Sequence, residues 1–311
     1  MKPAFLITIL MFVGITSSFS QGEERSYVTT FRSIQLINMQ TTEVIPQRGF
    51  DFSIRHRFGM TGFDSTSYKQ LLGLDLPANI RFAFDFPILK NLYVGAGRTK
   101  NGKTIDLETK YLFLRQTEDN LMPFSVAAYF STGIMTDAFP RVSDYSYMAD
   151  LVTPFTYRFS HRLSYNFQMI FARKFTEGLS LQIAPVLIYK NLVPAGAENQ
   201  TFSIPVGGAI KTGLKSSFIF EYAYRFNNRP LNNDYPLSIA FESGTAGHVF
   251  QIVISSTSEL IEQDAYTKTS FNYLKGKFAL GFNIRRVFWY KRKNKTLNEK
   301  SISLFNHYHT E

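Results

Sequence analysis

The chain has no cysteine and only one long apolar run among its 311 residues. Without cysteine it can form no disulfide, no cysteine-ligated metal site, no thiol nucleophile and no lipoprotein anchor. A transmembrane helix needs about 20 consecutive apolar residues, and the one apolar run lies at the very start, from Ala4 to about Ile15. The sequence therefore excludes a disulfide-bonded domain and a helical membrane protein.

Aromatic residues are abundant, with 31 Phe and 17 Tyr, and they alternate with polar ones. Successive side chains of a β-strand point to opposite faces, so segment 50–58 has one apolar and one polar face. The apolar face holds Phe50, Phe52, Ile54 and Phe58, and the polar face holds Asp51, Ser53, Arg55 and Arg57. One such strand would suit a soluble sandwich, but the pattern recurs about a dozen times and leaves no segment to cover the apolar faces.

This recurrence predicts an all-β fold, a transmembrane antiparallel β-barrel of about 12 strands of the outer-membrane type. An even number of strands is the rule for bacterial single-chain barrels. The predicted strands are 50–58, 79–86, 92–99, 104–114, 124–132, 162–174, 179–190, 202–211, 218–226, 237–243, 249–255 and 277–288.

The connections between the predicted strands give an independent check on the barrel. If the N-terminus is periplasmic, most connections on that side are short and most on the other side are long, as in outer-membrane barrels. The short ones are 87–91, 175–178, 212–215 and 244–248; the long ones are 59–78, 133–161, 191–201, 227–236 and 256–276. Two connections, 100–103 and 116–123, break the pattern.

Four regions follow from these patterns. The first resembles a signal peptide, because Lys2 precedes the apolar run and small Ser18 and Ser20 suit a cleavage site before Gln21. The second has neither strand nor helix periodicity; it either plugs the lumen, lies across the periplasmic mouth or is disordered. The predicted regions are a signal peptide at 1–20, an N-terminal periplasmic or lumen-plugging segment at 21–49, a barrel at 50–290 and a basic polar tail at 291–311.

A formal net charge of +10 would point to nucleic acid in a cytosolic protein. In an exported protein the expected anions are lipid headgroups and lipopolysaccharide phosphates, so we expect these as partners in the bacterial outer membrane and no nucleic acid. Four basic residues at the predicted extracellular end would face the phosphates: Lys69, Arg98, Lys100 and Lys103.

Several segments resemble an uncharacterised family of β-barrel proteins from Bacteroidota, a domain of unknown function. They are 56–59 (HRFG), 78–81 (ANIR), 94–98 (VGAGR), 162–165 (RLSY), 171–175 (FARKF), 190–194 (KNLVP) and 247–251 (GHVFQ). The resemblance runs over nearly the whole chain after the leader. It implies an outer-membrane barrel and no activity, because the family has no assigned catalytic or binding residues to transfer.

No catalytic pair is predicted. Some twelve-stranded outer-membrane barrels are lipases with Ser and His on the lipid-facing wall, and the two must lie within about 3 Å of each other. His161 and Ser164 differ in parity and so point to opposite faces, and the predicted neighbours of outward-facing His56 include no nucleophile. Gly95 and Gly97 lack the third glycine of a dinucleotide loop and fit small lumen-facing positions. We therefore predict no enzyme, no cofactor and no metal.

Charged residues on the predicted lumen faces form the remaining polar signal. They are Arg55, Arg57, Arg81, Asp85, Asp106, Glu108, Glu221, Arg225, Glu242 and Arg285. Arginines gather on one wall, where Asp51 and Asp85 are the nearest carboxylates, and most other carboxylates lie on other walls. Either the charges form structural pairs, for example Arg55 with Asp85 and Glu221 with Arg225, or they set a field across a constriction.

Two functions remain open from the sequence. The first is a narrow diffusion or uptake pore for small polar or anionic solutes. The second is a non-conducting structural or accessory subunit that contacts an outer-membrane protein partner. A plugged barrel and an open barrel share the same alternating pattern, so the pattern does not decide between them.

Overall fold

A computed structural model describes residues 26–139, 147–148, 150–229, 234–245, 247–268 and 271–290. The predicted signal peptide with its cleavage site and the predicted basic tail, 291–311, lie outside the described residues. The long connection 133–161 is described only in part.

The described residues form one sheet of 13 strands. Two of these strands are short and lie end to end, so the sheet has twelve strand positions around its circumference. The bounds are β1 (Gly49–Thr61), β2 (Asn79–Leu89), β3 (Leu92–Thr99), β4 (Ile105–Leu114), β5 (Ser125–Ile134), β6 (Leu163–Thr176), β7 (Leu179–Ile183), β8 (Val186–Lys190), β9 (Gln200–Lys211), β10 (Ser216–Arg225), β11 (Leu237–Gly244), β12 (His248–Ser255) and β13 (Phe278–Trp289).

The shared position is an interruption by proline. β7 and β8 both lie between β6 and β9, and Ala184 and Pro185 separate them. Proline has no N–H to donate to a strand ladder, so it ends the regular pairing. The segment predicted as one strand, 179–190, therefore spans one position of the barrel in two pieces.

The sheet closes on itself. β13 pairs antiparallel with β1, for example Ile284 opposite Ile54, and every other neighbouring pair is antiparallel too. The prediction of an all-β, closed antiparallel barrel of about 12 strands is confirmed. Closure removes the free strand edges that an open sheet would present.

Two short helices lie in connections, α1 (Ser65–Lys69) after β1 and α2 (Glu262–Ala265) between β12 and β13. Among the described residues, no helix has the length and apolar character needed to cross a membrane.

Inner and outer faces alternate along each strand as the parity predicts. In β2, Phe82 and Phe84 are 42% and 45% exposed, whereas Arg81 and Asp85 are 3% and 1% exposed. The same division holds in β13, where Asn283 is buried and its neighbour Phe282 is half-buried on the outer face. Apolar side chains thus cover the outside, whereas the inside holds most of the charged side chains of the strands together with some apolar ones such as Ile188 and Ile219, which fits a barrel that contacts lipid.

Candidate functional site

The first part of the candidate site is a set of buried ion pairs along β13 and β1 to β4, which we call the ion-paired wall. Arg81 on β2 pairs with two carboxylates of β4: a very short contact with Asp106 and a contact of 2.9 Å with Glu108. β3 lies between these strands, and its inward-facing Gly97 leaves room for the arginine to cross. A Cβ atom at Gly97 would lie 2.5 Å from Nη2 of Arg81.

The second arginine of this wall is also neutralised by its neighbours. Nη1 of Arg285 lies 3.1 Å from Asp51 and 3.8 Å from Asp85. These are the two carboxylates that the sequence marks as nearest to the arginines. Both Arg81 and Arg285 are therefore compensated by carboxylates of the wall itself.

Two ion pairs suggested by the sequence do not form among the described residues. Arg55 lies opposite Arg81, while Asp85 lies opposite Asp51, four residues further along the strands. Four residues of strand span about 13 Å, too far for an ion pair. Nε and Nη1 of Arg55 therefore have no hydrogen-bond partner among the described residues.

The same spacing separates Glu221 from Arg225 on β10. Nη1 of Arg225 donates to the backbone oxygen of Thr267 at 2.6 Å instead. Two other predicted lumen residues also bond to polar neighbours. Arg57 donates to Asn283 Oδ1 at 2.8 Å, and Glu242 pairs with Arg32 at 3.3 Å.

The N-terminal residues 28–45, here called the lumen segment, form a compact loop. The backbone N–H of Thr41 donates to Ile34 at 3.0 Å, and that of Leu36 donates to Met39 at 2.8 Å. The Glu43 carboxylate closes the base of the loop by accepting the N–H of Thr30 at 2.9 Å. Most side chains from Thr30 to Thr42 are buried, so the loop lies among the inward-facing side chains of the barrel.

The tip of the lumen segment is bound by one acid. Oε1 of Glu221 accepts the backbone N–H groups of Ile37, Asn38 and Met39 at 2.6, 2.9 and 2.8 Å. Hydrogen bonds to an ionised group are roughly twice as strong as neutral ones. Glu221 thereby replaces the backbone partners that a strand or helix would have supplied at the tip.

Four more inward side chains bond to backbone oxygens of the lumen segment. Nζ of Lys110 donates to Ile34 at 2.7 Å and to Glu43 at 3.3 Å. The other three donors are amides: Gln251 to Leu36 at 3.1 Å, Asn283 to Ile37 at 3.2 Å and Gln182 to Gln40 at 2.9 Å.

A second insertion enters from the opposite end of the barrel. Residues 256–268, here called the loop segment, connect β12 towards β13 and contain α2. Leu260, Glu262 and Gln263 of this segment are buried, and Nε2 of Gln263 donates to Ser131 at 3.0 Å. Nε2 of Gln40 donates to Oε1 of Glu262 at 2.9 Å, so the two insertions meet inside the barrel.

Little space remains around the tip of the lumen segment. Two cavities there, one beside Arg55 and one beside Glu221, measure about 10 Å³ each, room for roughly one water. Larger cavities of about 280 and 230 Å³ lie beside the base of the segment, and Thr29, Phe31 and Arg32 line both.

The ten charged residues predicted for the lumen are all buried except Arg285, which is partly buried. Parity predicted their direction but not their partners. Lys110 and Glu262 are buried too, but neither is in the predicted cluster. Lys110 shares the inner face of β4 with Asp106 and Glu108, so alternation could have found it. Glu262 lies in a connection and has no such local signal.

The histidines and carboxylates of the described residues are candidates as metal ligands and as members of a catalytic pair. No group of three His, Asp or Glu residues there could hold a metal ion. The outward-facing His56 ring stacks on Phe282, with 5.0 Å between ring centroids, and His161 accepts the N–H of Arg158 at 3.2 Å.

Comparison with known proteins gives a family. A family model described as "Membrane bound beta barrel domain (DUF5777)" matches residues 31–288. The chain belongs to this family. The match includes most of the lumen segment, so that segment is part of the family's domain. Resemblance to an uncharacterised membrane-barrel family is thereby confirmed, while an origin in Bacteroidota stays a prediction.

Several solved structures have a similar fold. The chain is similar to the KdgM porin (8% identity, TM-score 0.44, 76% of this chain and 99% of that one) and to the NanC porin (8%, 0.46, 77% and 100%). It is also similar to the outer membrane phospholipase A from Escherichia coli (8%, 0.37, 76% and 89%). No curated protein matches the sequence. At such low identity and TM-score we take nothing about function from these likenesses.

Proposed function

We propose that this protein is an outer-membrane uptake barrel for small polar solutes, and that its lumen segment closes the pathway in the conformation described here. One observation carries the proposal: Glu221 accepts three backbone N–H groups from the tip of the segment. A side chain of the barrel wall thus binds the lumen segment inside the barrel.

The width of the barrel supports a pathway. Eight strands enclose a space that side chains can just fill, whereas larger barrels leave room for ligands or channels. Here twelve positions surround the interior, and two insertions occupy it. The ladder from β1 to β13 closes without any strand from the lumen segment, so movement of the segment would leave the wall intact.

The contacts also suit a segment that can leave. Hydrogen bonds link its backbone to Lys110, Gln182, Glu221, Gln251 and Asn283. Water can take over such bonds, so the net contribution of each is only about 0.5–3 kcal/mol. Arg81 and Arg285 are paired within the wall, so these two arginines are not free to attract anions.

The second candidate, a non-conducting accessory subunit, is favoured by the same pairing in the wall. Under this hypothesis both insertions stay in place permanently and the connections contact a partner protein. Conductance separates the two candidates.

The test is single-channel recording in planar bilayers with two full-length proteins. One is the wild type; the other, the open-lumen variant, replaces residues 30–43 by a Pro–Ser repeat of equal length. Proline has no N–H, so the repeat cannot present three consecutive N–H groups to Glu221 as residues 37–39 do. We expect short or rare openings from the wild type and steady conductance from the variant.

A control variant, Glu177→Gln in the exposed turn after β6, should behave as the wild type. Steady conductance from the wild type would contradict closure by the lumen segment. A silent open-lumen variant with an intact barrel by circular dichroism would put the accessory role first.

Placement in the membrane belongs to the same proposal. We propose cleavage after Ser20, the short turns in the periplasm, and lipopolysaccharide phosphates as partners of Lys69, Arg98, Lys100 and Lys103. Protease added to intact cells should then cut the connection 133–161 and spare the turn after β2. The opposite pattern would reverse the orientation.

A further inference from the structure

The contacts between the wall and the lumen segment are made largely with backbone atoms. Glu221 accepts N–H groups, while Lys110, Gln182, Gln251 and Asn283 donate to carbonyl oxygens. Every peptide offers the same backbone donors and acceptors. A wall that binds them does not depend strongly on the sequence of the segment it holds.

The two charged contacts lie on well-separated walls. Glu221 is on β10 and Lys110 is on β4, five positions apart in a barrel of twelve. The carboxylate meets three N–H groups and the ammonium meets two carbonyl oxygens. A peptide that crosses the lumen can therefore donate its N–H groups to Glu221 on one side and accept from Lys110 with its carbonyl oxygens on the other.

Departure of the lumen segment would leave both charges without these partners. Glu221 is 5% exposed and Lys110 is 0% exposed in the closed barrel. Both charged groups then become available to bind new partners. Water supplies some, but a peptide supplies donors and acceptors already joined at the right spacing.

The side chains of the lumen segment lie in apolar spaces between it and the wall. Leu36 and Ile37 pack with buried Ile219, Ala240 and Val253 of the wall. At inward-facing Gly207 a Cβ would lie 2.9 Å from Met39 Sδ, so the glycine makes space for the tip. Medium-sized aliphatic side chains therefore fit beside the backbone contacts.

We propose that the vacated lumen binds short peptides, and that these are the solutes taken up by this barrel. In the closed barrel the lumen segment occupies the peptide site as an internal substitute. This inference rests on the proposed function, since it requires the segment to leave. Neutral oligosaccharides, the obvious competing class of polar solute, have no ladder of N–H donors for Glu221.

The test adds ligands to the full-length open-lumen variant and records interruptions of its current. The probes are a synthetic peptide with the sequence of residues 30–43, a scrambled peptide of the same composition, and a neutral oligosaccharide of similar mass. We expect both peptides to block with dissociation constants within about tenfold of each other, and the oligosaccharide to block at least tenfold more weakly.

A fourth probe tests backbone recognition directly. It is the same peptide with N-methyl groups at the residues that correspond to Ile37, Asn38 and Met39, so the three N–H donors are gone. We expect at least a tenfold weaker block. Adding Glu221→Gln to the open-lumen variant should weaken the unmodified peptide by a similar factor and leave the oligosaccharide unchanged.

Two outcomes would overturn the inference. Block by the native sequence but not by the scrambled peptide would mean that the contacts serve only the chain's own segment. Equal block by peptide and oligosaccharide would show that the lumen has no preference for peptides. If the open-lumen variant is silent, the proposed function fails, and calorimetric titration of the same four probes into detergent-solubilised variant still decides whether the lumen binds peptides.

Discussion

Arg81 and Glu221 are both buried charges on the inner face of the barrel, yet they are compensated in different ways. Arg81 pairs with Asp106 and Glu108, which belong to the wall itself. Glu221 bonds to the tip of the lumen segment, which is no part of the wall. The ion-paired wall therefore contributes to the stability of the barrel, whereas Glu221 contributes to its closure.

The sharpest way to break this comparison is Arg81→Ala. It leaves Asp106 and Glu108 buried without their cation, which costs about 3–5 kcal/mol of unfolding free energy. Urea unfolding of the barrel in lipid vesicles, followed by circular dichroism, measures the loss. The control Arg98→Ala changes an exposed arginine of β3 and should stay within about 0.5 kcal/mol of wild type. A loss below 1 kcal/mol for Arg81→Ala would contradict a structural role for the wall.

Glu221→Ala should act on the lumen segment and spare the barrel. Loss of three charge-assisted bonds weakens docking by roughly 3 kcal/mol, which corresponds to about 100-fold faster hydrogen exchange at Ile37, Asn38 and Met39. Exchange at strand amides of β1 should not change, and the free energy of unfolding should change by no more than about 1 kcal/mol. A midpoint that drops as far as in Arg81→Ala would end the distinction between stability and closure.

A smaller effect is expected from Gln182→Ala. Its amide donates one neutral hydrogen bond to Gln40, worth about 1 kcal/mol, so exchange in the lumen segment should rise about fivefold. Gln200→Ala, at an exposed position of the neighbouring β9, serves as the matched control. An unchanged exchange rate in Gln182→Ala would show that this contact adds nothing to docking.

The smallest expected effect on stability comes from the exposed ion pair between Asp64 and Lys277. The hydrogen bond from Lys277 and, next in size, the one from the backbone N–H of Ser67 together lower the pKa of Asp64 to about 2. Its contribution is therefore full above the ordinary pKa of 3.8 and is lost as the pH falls through about 2. Because pH 7 and pH 5 both lie above 3.8 and the pair is solvent-exposed, we expect it to cause no measurable change in the urea midpoint over this interval.

An NMR titration of the Asp64 carboxyl checks that shift, with Lys277→Gln as the variant for comparison. The pKa of Asp64 should move back towards its ordinary value in that variant. If it stays near 2, Lys277 is not the cause of the shift.

Strand positions could be predicted from sequence because alternation is a local property. β3 begins and ends at the residues predicted, Leu92 and Thr99. β1 runs beyond its predicted end to Thr61, through an irregularity between Arg57 and Met60 in its pairing with β13. Such an extension depends on the partner strand, which parity within one strand does not reveal.

The contacts of the candidate site were harder to predict. Parity correctly turned Arg81 inward, but its partners lie two strands away, and they are reached only because Gly97 leaves space. The lumen segment has no periodic pattern, since side chains such as Glu221 and Lys110 supply its backbone partners. Only the folded arrangement shows which distant residues meet.

The interruption at Pro185 has a mechanical consequence. A barrel wall resists bending where consecutive amides bridge the strands, and proline supplies no such bridge. Pro185 and Pro205 lie on adjacent positions of the wall, where the Ala184 N–H donates to the Pro205 oxygen at 2.9 Å. Nearby on the outer surface is an apolar groove of about 590 Å³, lined by residues such as Phe171, Ile183 and Phe220. We therefore expect the wall to bend more easily on this side than where the ladder between strands is continuous.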